Sequence, residues 1–258
     1  MRVLVVTRLK DPIEHYRKLA ASGDIQALSG HGLGPAVISF VNSRILKALK
    51  CDPPDVLLDI GCGDGSLLKS AGCATRIGIV PTAEELGRLC PLYPEILFHV
   101  GLAQSLPLES GIASKIVCNG VLLLLGSEAL VRSALGEIAR VAKPGALIWL
   151  GEIPVENEYA KFHVYRGDSV VGMLLHQRRH KGFRVFLSYL RSAFRGTLQL
   201  DSNPMFYARP EQFIAMVEAA GLQVIDHFKH RRLDESGGEM ESPYRWNYLV
   251  KKPNHSSR

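Results

Sequence analysis

From residue 55 onward the chain alternates short apolar runs with longer segments whose apolar residues recur every three or four positions. The run Val56-Leu57-Leu58-Asp59-Ile60 is apolar on both faces, the pattern of a strand covered on both sides. A glycine loop ends it, and a short helix is expected over residues 66–71. Residues 76–80, 96–100 and 115–118 read as the second, third and fourth strands. Between the second and third, Thr82-Ala83-Glu84-Glu85 has capping-box spacing and predicts a helix to residue 89. Ser127 can cap a helix whose apolar face is Leu130, Val131, Ala134, Leu135, Ile138 and Val141. Lys143-Pro144-Gly145 ends that helix before a fifth strand at 146–150. Pro210 opens a last helix that Gly221 terminates. Residues 222–226 and 244–251 supply two more strands, joined without an obvious helix and so able to run antiparallel. Repeated strand–helix units with buried strands mean an α/β, doubly wound, mostly parallel sheet.

The first 50 residues break this alternation. A short apolar start leads to Ser29-Gly30-His31-Gly32-Leu33-Gly34-Pro35. Val37, Ile38, Val41, Ile45, Leu46 and Leu49 then share one helical face, so a helix is expected over 35–50. The chain therefore divides into an N-terminal helical extension (1–50) and a main domain (51–258). Within the main domain, residues 155–208 form a helical insertion after the fifth strand. There Phe183, Phe186, Leu187, Leu190 and Phe194 lie at helical spacing, with Arg184, Arg191 and Arg195 opposite. Two readings stand: a helix docked on the body with its arginines solvated, or a basic cap or homodimer element facing an anionic acceptor. His163, Tyr165 and His176 are candidate acceptor contacts, His163 with a catalytic role.

Composition narrows the class. With 258 residues, 47% hydrophobic and 22% charged, the chain can bury a layered core without disulfide or metal staples. The longest apolar run, residues 121–125, is far short of the roughly 20 needed to span a bilayer. The start lacks a signal-peptide h-region, so neither membrane insertion nor secretion is expected. Five cysteines without a C-x-x-C pair suit reduced thiols in a cytoplasmic protein, and no metal site is expected. Between residues 161 and 200 eight basic residues face Asp168 alone, a local +7 in a chain of net charge +6. Attraction for anions should thus be local.

The chemistry sits in Asp59-Ile60-Gly61-Cys62-Gly63-Asp64-Gly65, between a strand and a helix. Glycines there allow positive φ and let a ligand approach the backbone. A dinucleotide fingerprint would place its third glycine at 66, which is Ser66. The spacing is instead G-x-G-x-G, with a carboxylate two residues before it that would repel a pyrophosphate and suit an ammonium. A ligand carrying both an amine and a nucleoside fits.

With these residues the sequence resembles the class I S-adenosylmethionine-dependent methyltransferases. The resemblance rests on residues 56–65, on Ala103-Gln104-Ser105-Leu106-Pro107-Leu108, on Cys118-Asn119-Gly120-Val121-Leu122, and on Ile138-Ala139-Arg140-Val141-Ala142-Lys143-Pro144-Gly145. It implies a Rossmann-like seven-stranded sheet with its last strand antiparallel. It also implies S-adenosylmethionine over the carboxyl ends of the strands, with Asp59, Gly61, Cys62, Gly63 and Gly65 at the methionine portion. Val80, Pro81, Leu102, Ala103, Gln104 and Asn119 complete the expected cofactor site. Three positions depart from the family's acidic pattern: Val80 stands where a ribose-binding carboxylate is usual, Leu102 where an aspartate faces adenine, and Ser114 at the start of the fourth strand. Asn119 and Glu152, at the ends of the fourth and fifth strands, are the expected catalytic groups. Asn119 would orient cofactor or acceptor, and Glu152 would act as base or acceptor ligand. The leading function is methyl transfer to oxygen or nitrogen of a small-molecule or glycan acceptor. The alternatives are a methyltransferase-like binding or scaffold protein without catalysis and, third, an RNA methyltransferase using residues 177–184 as a phosphate strip. No separate RNA-binding module accompanies that strip, so nucleic acid is not the expected partner.

Overall fold

The computed structural model describes residues 7–9, 12–22, 28, 34–155, 169–195, 199–201, 205–234 and 236–254. Its centre is a sheet of seven strands: β2 (Val56–Ile60), β3 (Thr75–Val80), β4 (Leu97–Val100), β5 (Ala113–Asn119), β6 (Ala142–Pro154), β8 (Gln223–Leu233) and β9 (Glu239–Lys251). Their order across the sheet is β4-β3-β2-β5-β6-β9-β8, and only β9 runs against the others. The chain builds outward from β2 to β4, then returns to lay β5 on the other side of β2. That reversal opens a crevice beyond the carboxyl ends of β2 and β5, where ligands bind in sheets of this kind.

Successive strand residues point to opposite faces, and this sorts the core into two layers. Leu58, Ile116 and Ile148 belong to one apolar cluster. It is shared with α5 (Glu128–Val141) through Leu135 and Ile138, and with α8 (Pro210–Ala219) through Phe213 and Val217. Their neighbours Leu57, Val117 and Trp149 belong to the other. There α2 (Pro35–Leu49) contributes Ile45 and Leu49, and α3 (Ser66–Ser70) contributes Leu68. The helix of residues 35–49 is therefore built into the core layer of the main sheet. Thr82 caps α4 (Ala83–Leu92) by accepting from the Glu85 N–H at 3.2 Å, and Ser127 caps α5 by accepting from the Leu130 N–H at 3.3 Å.

Several elements exceed their expected bounds. β6 starts at Ala142, because the Lys143-Pro144-Gly145 stop lies at its edge: Gly145, at φ +81°, donates its N–H to Lys252 O at 2.9 Å. β8 and β9 form a hairpin that reaches Leu233 and Glu239, well beyond the apolar cores of both strands. Among the elements not foreseen are helix α1 (Pro12–Ser22) and a two-stranded parallel sheet in which β1 (Thr7–Leu9) pairs with β7 (Gln199–Asp201). Arg17 on α1 pairs with Glu84 on α4 at 3.3 Å.

The insertion contains α6 (Val170–Lys181) and α7 (Phe183–Arg195). They pack on one another through Met173 and Ala193, with Val170 and Tyr189 alongside. Of the apolar face expected to dock, Phe183 stacks on Phe186 at 5.8 Å, but Phe183 and Phe194 remain 61% and 70% exposed. His163 and Tyr165 lie outside the described residues. No helix among the described residues is long and apolar enough to cross a membrane. None of their His, Cys, Asp and Glu side chains form a group of three or more able to hold a metal ion.

Candidate active site

The glycine loop folds as its composition requires. Gly61, Gly63 and Gly65 have φ of +74°, +53° and +75°, a region that side chains resist. The N–H groups of Gly61 and Cys62 donate to Ile79 O at 2.9 and 3.1 Å, tying the loop to the end of β3. A Cβ on Gly61 would come within 2.5 Å of Val121 Cγ2. Asp64 turns back to accept from the N–H and hydroxyl of Ser66 at 3.0 and 2.6 Å, and so fixes the start of α3.

Beyond this loop, over the switch point, lies a cavity of about 410 Å³. Gly61 and Gly63 line it. Pro81 and Glu85 line the side next to β3, and Leu102, Ala103 and Gln104 the side next to β4. Ile13 and Tyr16 of α1 contribute to its wall, as do Asn119, Glu152 and Arg245. Of the residues expected around a cofactor, Gly61, Gly63, Pro81, Leu102, Ala103, Gln104 and Asn119 reach this wall together. Asp59, Cys62, Gly65 and Val80 are buried behind it.

Four polar groups around the cavity have unusual states. Asp59 is buried, and loss of solvation together with the nearby Asp64 carboxylate pushes its pKa up to about 7. Glu85 is also buried. Its pKa is raised by desolvation against the hydrogen bond that Thr82 Oγ1 donates to it at 2.8 Å. Gln104 Oε1 is buried and has no hydrogen-bond partner among the described residues. An unpaired buried acceptor costs about 1–3 kcal/mol, and a ligand N–H would remove that cost. The Tyr16 phenol is raised by burial, then by the charges of Glu85 and Glu152.

Part of the cavity wall is a connected polar cluster. β5 and β6 run side by side so that Asn119 lies opposite Gly151. Trp149 Nε1 donates to Asn119 Oδ1 at 3.1 Å, and Asn119 Nδ2 donates to Glu152 Oε1 at 2.9 Å. The other oxygen of Glu152 pairs with Arg245 Nη1 of β9. Glu152 is 1% exposed and sits at φ +66°, where the β6–β9 register shifts between Leu150 and Ile153. A side chain held there costs about 1–2 kcal/mol. Its backbone N–H donates to Asn247 Oδ1 at 3.0 Å. Gly151 must lack a side chain, because a Cβ would overlap Asn119 Oδ1.

Ser114 has a different task. Its hydroxyl donates to Asp55 Oδ1 at 2.8 Å and accepts from the Val56 N–H at 3.0 Å, at the amino end of the sheet. The departure at this position therefore bears on strand pairing and leaves the cavity untouched. Glu85, Tyr16 and Arg245 also line the cavity, and sequence reasoning did not place them there. Glu85 was visible only as a capping residue.

The crevice at the switch point, the glycine loop and the strand order define a class I methyltransferase architecture. Residues 58–150 match the family model described as a methyltransferase domain. The matched stretch runs from β2 into β6 and includes the glycine loop. None of the curated proteins matches the chain significantly. Among solved structures, it resembles a chain of the complex between the Haloferax volcanii Trm112 methyltransferase activator and a methyltransferase. That likeness has a TM-score of 0.60 at 15% identity, covering 95% of this chain and 99% of the other. It resembles the N-methyltransferase NodS from Bradyrhizobium japonicum WM9, solved with S-adenosyl-L-homocysteine (TM-score 0.59, 13% identity, 94% and 100% covered). It also resembles the [4+2]-cyclase SpnF (TM-score 0.57, 15% identity, 94% and 95% covered). At these identities the likeness concerns the fold alone.

Proposed function

We propose that the protein is an S-adenosylmethionine-dependent methyltransferase acting on oxygen or nitrogen of a small-molecule or glycan acceptor. The observation that carries this reading is the makeup of the 410 Å³ cavity. It brings a side-chain-free glycine loop, a buried carboxylate and a buried amide oxygen into one wall with the Asn119–Glu152–Arg245 cluster.

The residues present fit the cofactor. Gly61 and Gly63 leave backbone open to the amino-acid portion. Asp59, raised by burial beside a second carboxylate, would be relieved by an ammonium. Val80 is fully buried and apolar, whereas Glu85 lies on the wall and can accept from two ribose hydroxyls. Gln104 Oε1 can accept from the adenine amine, with Leu102 and Leu130 flanking the ring. When bound, the cofactor would supply an electrophilic methyl on a sulfonium, whose carbon accepts an oxygen or nitrogen lone pair as the carbon–sulfur electron pair leaves with sulfur.

Most of the acceleration in such a displacement comes from alignment. Asn119, fixed at both ends of its amide, and Glu152, fixed by Asn119 and Arg245, form a rigid edge for the acceptor. A hydroxyl being methylated becomes strongly acidic as its new bond forms, so a carboxylate at Glu152 suffices to receive that proton. An amine needs only to arrive neutral, with its N–H directed by the same oxygen. No described residue of α6 or α7 lines the cavity. Titration with S-adenosylmethionine, followed by transfer of labelled methyl to candidate acceptors, tests the reading. Binding without any transfer would favour the non-catalytic alternative.

A further inference from the structure

A second cavity, of about 350 Å³, lies on the other side of the polar cluster. It shares Asn119, Glu152 and Arg245 with the first. One half of its wall is apolar and comes from α2, through Val37, Ile38 and Val41. The other half comes from the hairpin of β8 and β9, through His230, Arg232 and Ser242. His230 is 4% exposed, and its Nδ1 faces Asn247 Nδ2 at 3.4 Å, so this is an ordered pocket wall.

The charges on the hairpin are unevenly paired. Arg231 makes two hydrogen bonds to Glu241, at 3.1 and 2.7 Å, and points away from the chamber. Arg245 is taken by Glu152 and lies 5.6 Å over the Tyr244 ring. Arg232 is half-buried, lines the chamber, and has no carboxylate partner among the described residues. A partly desolvated guanidinium gains most from an anion that accepts two parallel N–H bonds. The first cavity is of the size that one nucleoside-bearing ligand fills. An acceptor therefore needs space of its own that still reaches Glu152.

We propose that this second chamber is the acceptor site and that it takes a compact, partly apolar molecule bearing one carboxylate or phosphate. The anion sits on Arg232, the apolar body lies against Val37, Ile38 and Val41, and the hydroxyl or amine to be methylated meets Glu152. This assignment rests on the reading of the first cavity as the cofactor site. It makes Arg232 a specificity residue and Glu152 the partition between two ligands.

The test uses the full chain and three probes: 4-hydroxybenzoate, phenyl phosphate and the neutral methyl 4-hydroxybenzoate. Each is titrated into the protein alone and into protein saturated with S-adenosylhomocysteine. The expected result is that at least one acid binds, about tenfold or more tighter than the ester. The two acids separate carboxylate from phosphate as the preferred anion. Arg232→Gln should abolish the acid's advantage, Arg232→Lys should keep part of it, and neither should change affinity for S-adenosylhomocysteine. Acid and ester binding alike, Arg232→Gln binding as the unaltered protein does, or no acid binding below about 10 mM, would each overturn the proposal. Acid binding that depends on Arg232 without any binding of S-adenosylhomocysteine would leave the chamber standing and remove the cofactor reading instead.

Discussion

Asn119 Nδ2 donates to Glu152 Oε1 at 2.9 Å, so the carboxyl ends of β5 and β6 are joined through side chains as well as through the strand ladder. The bond belongs to a chain that runs from Trp149 through Asn119 and Glu152 to Arg245. Each side chain in it holds the next, and Asn119, Glu152 and Arg245 border both cavities. Chemistry at this edge and stability of the edge are therefore coupled.

Removing one partner of the Glu152–Arg245 pair leaves the other poorly compensated. Glu152→Gln should lower stability by about 2 kcal/mol or more, measured by denaturant unfolding. Combining it with Arg245→Met should recover much of that loss, since no uncompensated charge remains. A double-mutant cycle showing simple additivity would mean the pair is energetically idle.

Gly151→Ala tests the packing of the same edge. The added methyl cannot fit beside Asn119 Oδ1 and Trp149 Nε1 without moving one of them. A loss of about 1–3 kcal/mol is expected, with a shift in tryptophan fluorescence as the Trp149–Asn119 bond is disturbed. An unchanged melting temperature and emission maximum would show that the strand ends have room the structure does not.

Asp59 gives a pH dependence with a definite sign. Burial and Asp64 raise its pKa from an ordinary 3.8 to about 7. Between those values the folded protein holds a proton that the unfolded chain has released. Its contribution to stability is therefore full below the lower value and is lost as pH rises toward the higher one, a change on the order of a few kcal/mol. Asp59→Asn should flatten this slope in urea titrations across that window. An ammonium bound nearby favours the ionised form, so affinity for S-adenosylhomocysteine should rise from about pH 6 to 8 in the unaltered protein. The rise should be absent in the variant.

How far the sequence disclosed all this depends on where each signal resides. The strands β2, β3 and β5 were legible because their residues are apolar on both faces, a pattern that local sequence displays directly. The glycine loop was legible because positive φ at Gly61, Gly63 and Gly65 is a backbone demand that few other residues meet. Asn119 and Glu152 could be placed at strand ends by counting, but their hydrogen bond depends on β5–β6 register. The extension of β8 was hidden, because His227-Phe228-Lys229-His230-Arg231-Arg232 reads as exposed and charged until β9 pairs with it. Of those residues, His230 and Arg232 line the second chamber. Glu85 was hidden for another reason: its position in the first turn explains it as a cap, and only the tertiary placement of α4 shows it on the cavity wall.

Glu85 and Gln104 are expected to replace the family's usual acidic contacts. Glu85→Gln should weaken S-adenosylhomocysteine binding roughly tenfold or more, because charge-assisted hydrogen bonds to hydroxyls are lost. Gln104→Ala removes a buried oxygen that has no hydrogen-bond partner among the described residues, so it should cost little stability while weakening binding. Calorimetry beside thermal melts separates the two effects. A variant pair that binds like the unaltered protein would place the nucleoside elsewhere.

The most direct measurement is calorimetric titration of the full chain with S-adenosylhomocysteine at neutral pH, with Glu85→Gln alongside. A single site of micromolar order, weakened by that substitution, is the predicted result. No heat at millimolar ligand, or binding indifferent to Glu85, would contradict the assignment of the cavity over the glycine loop.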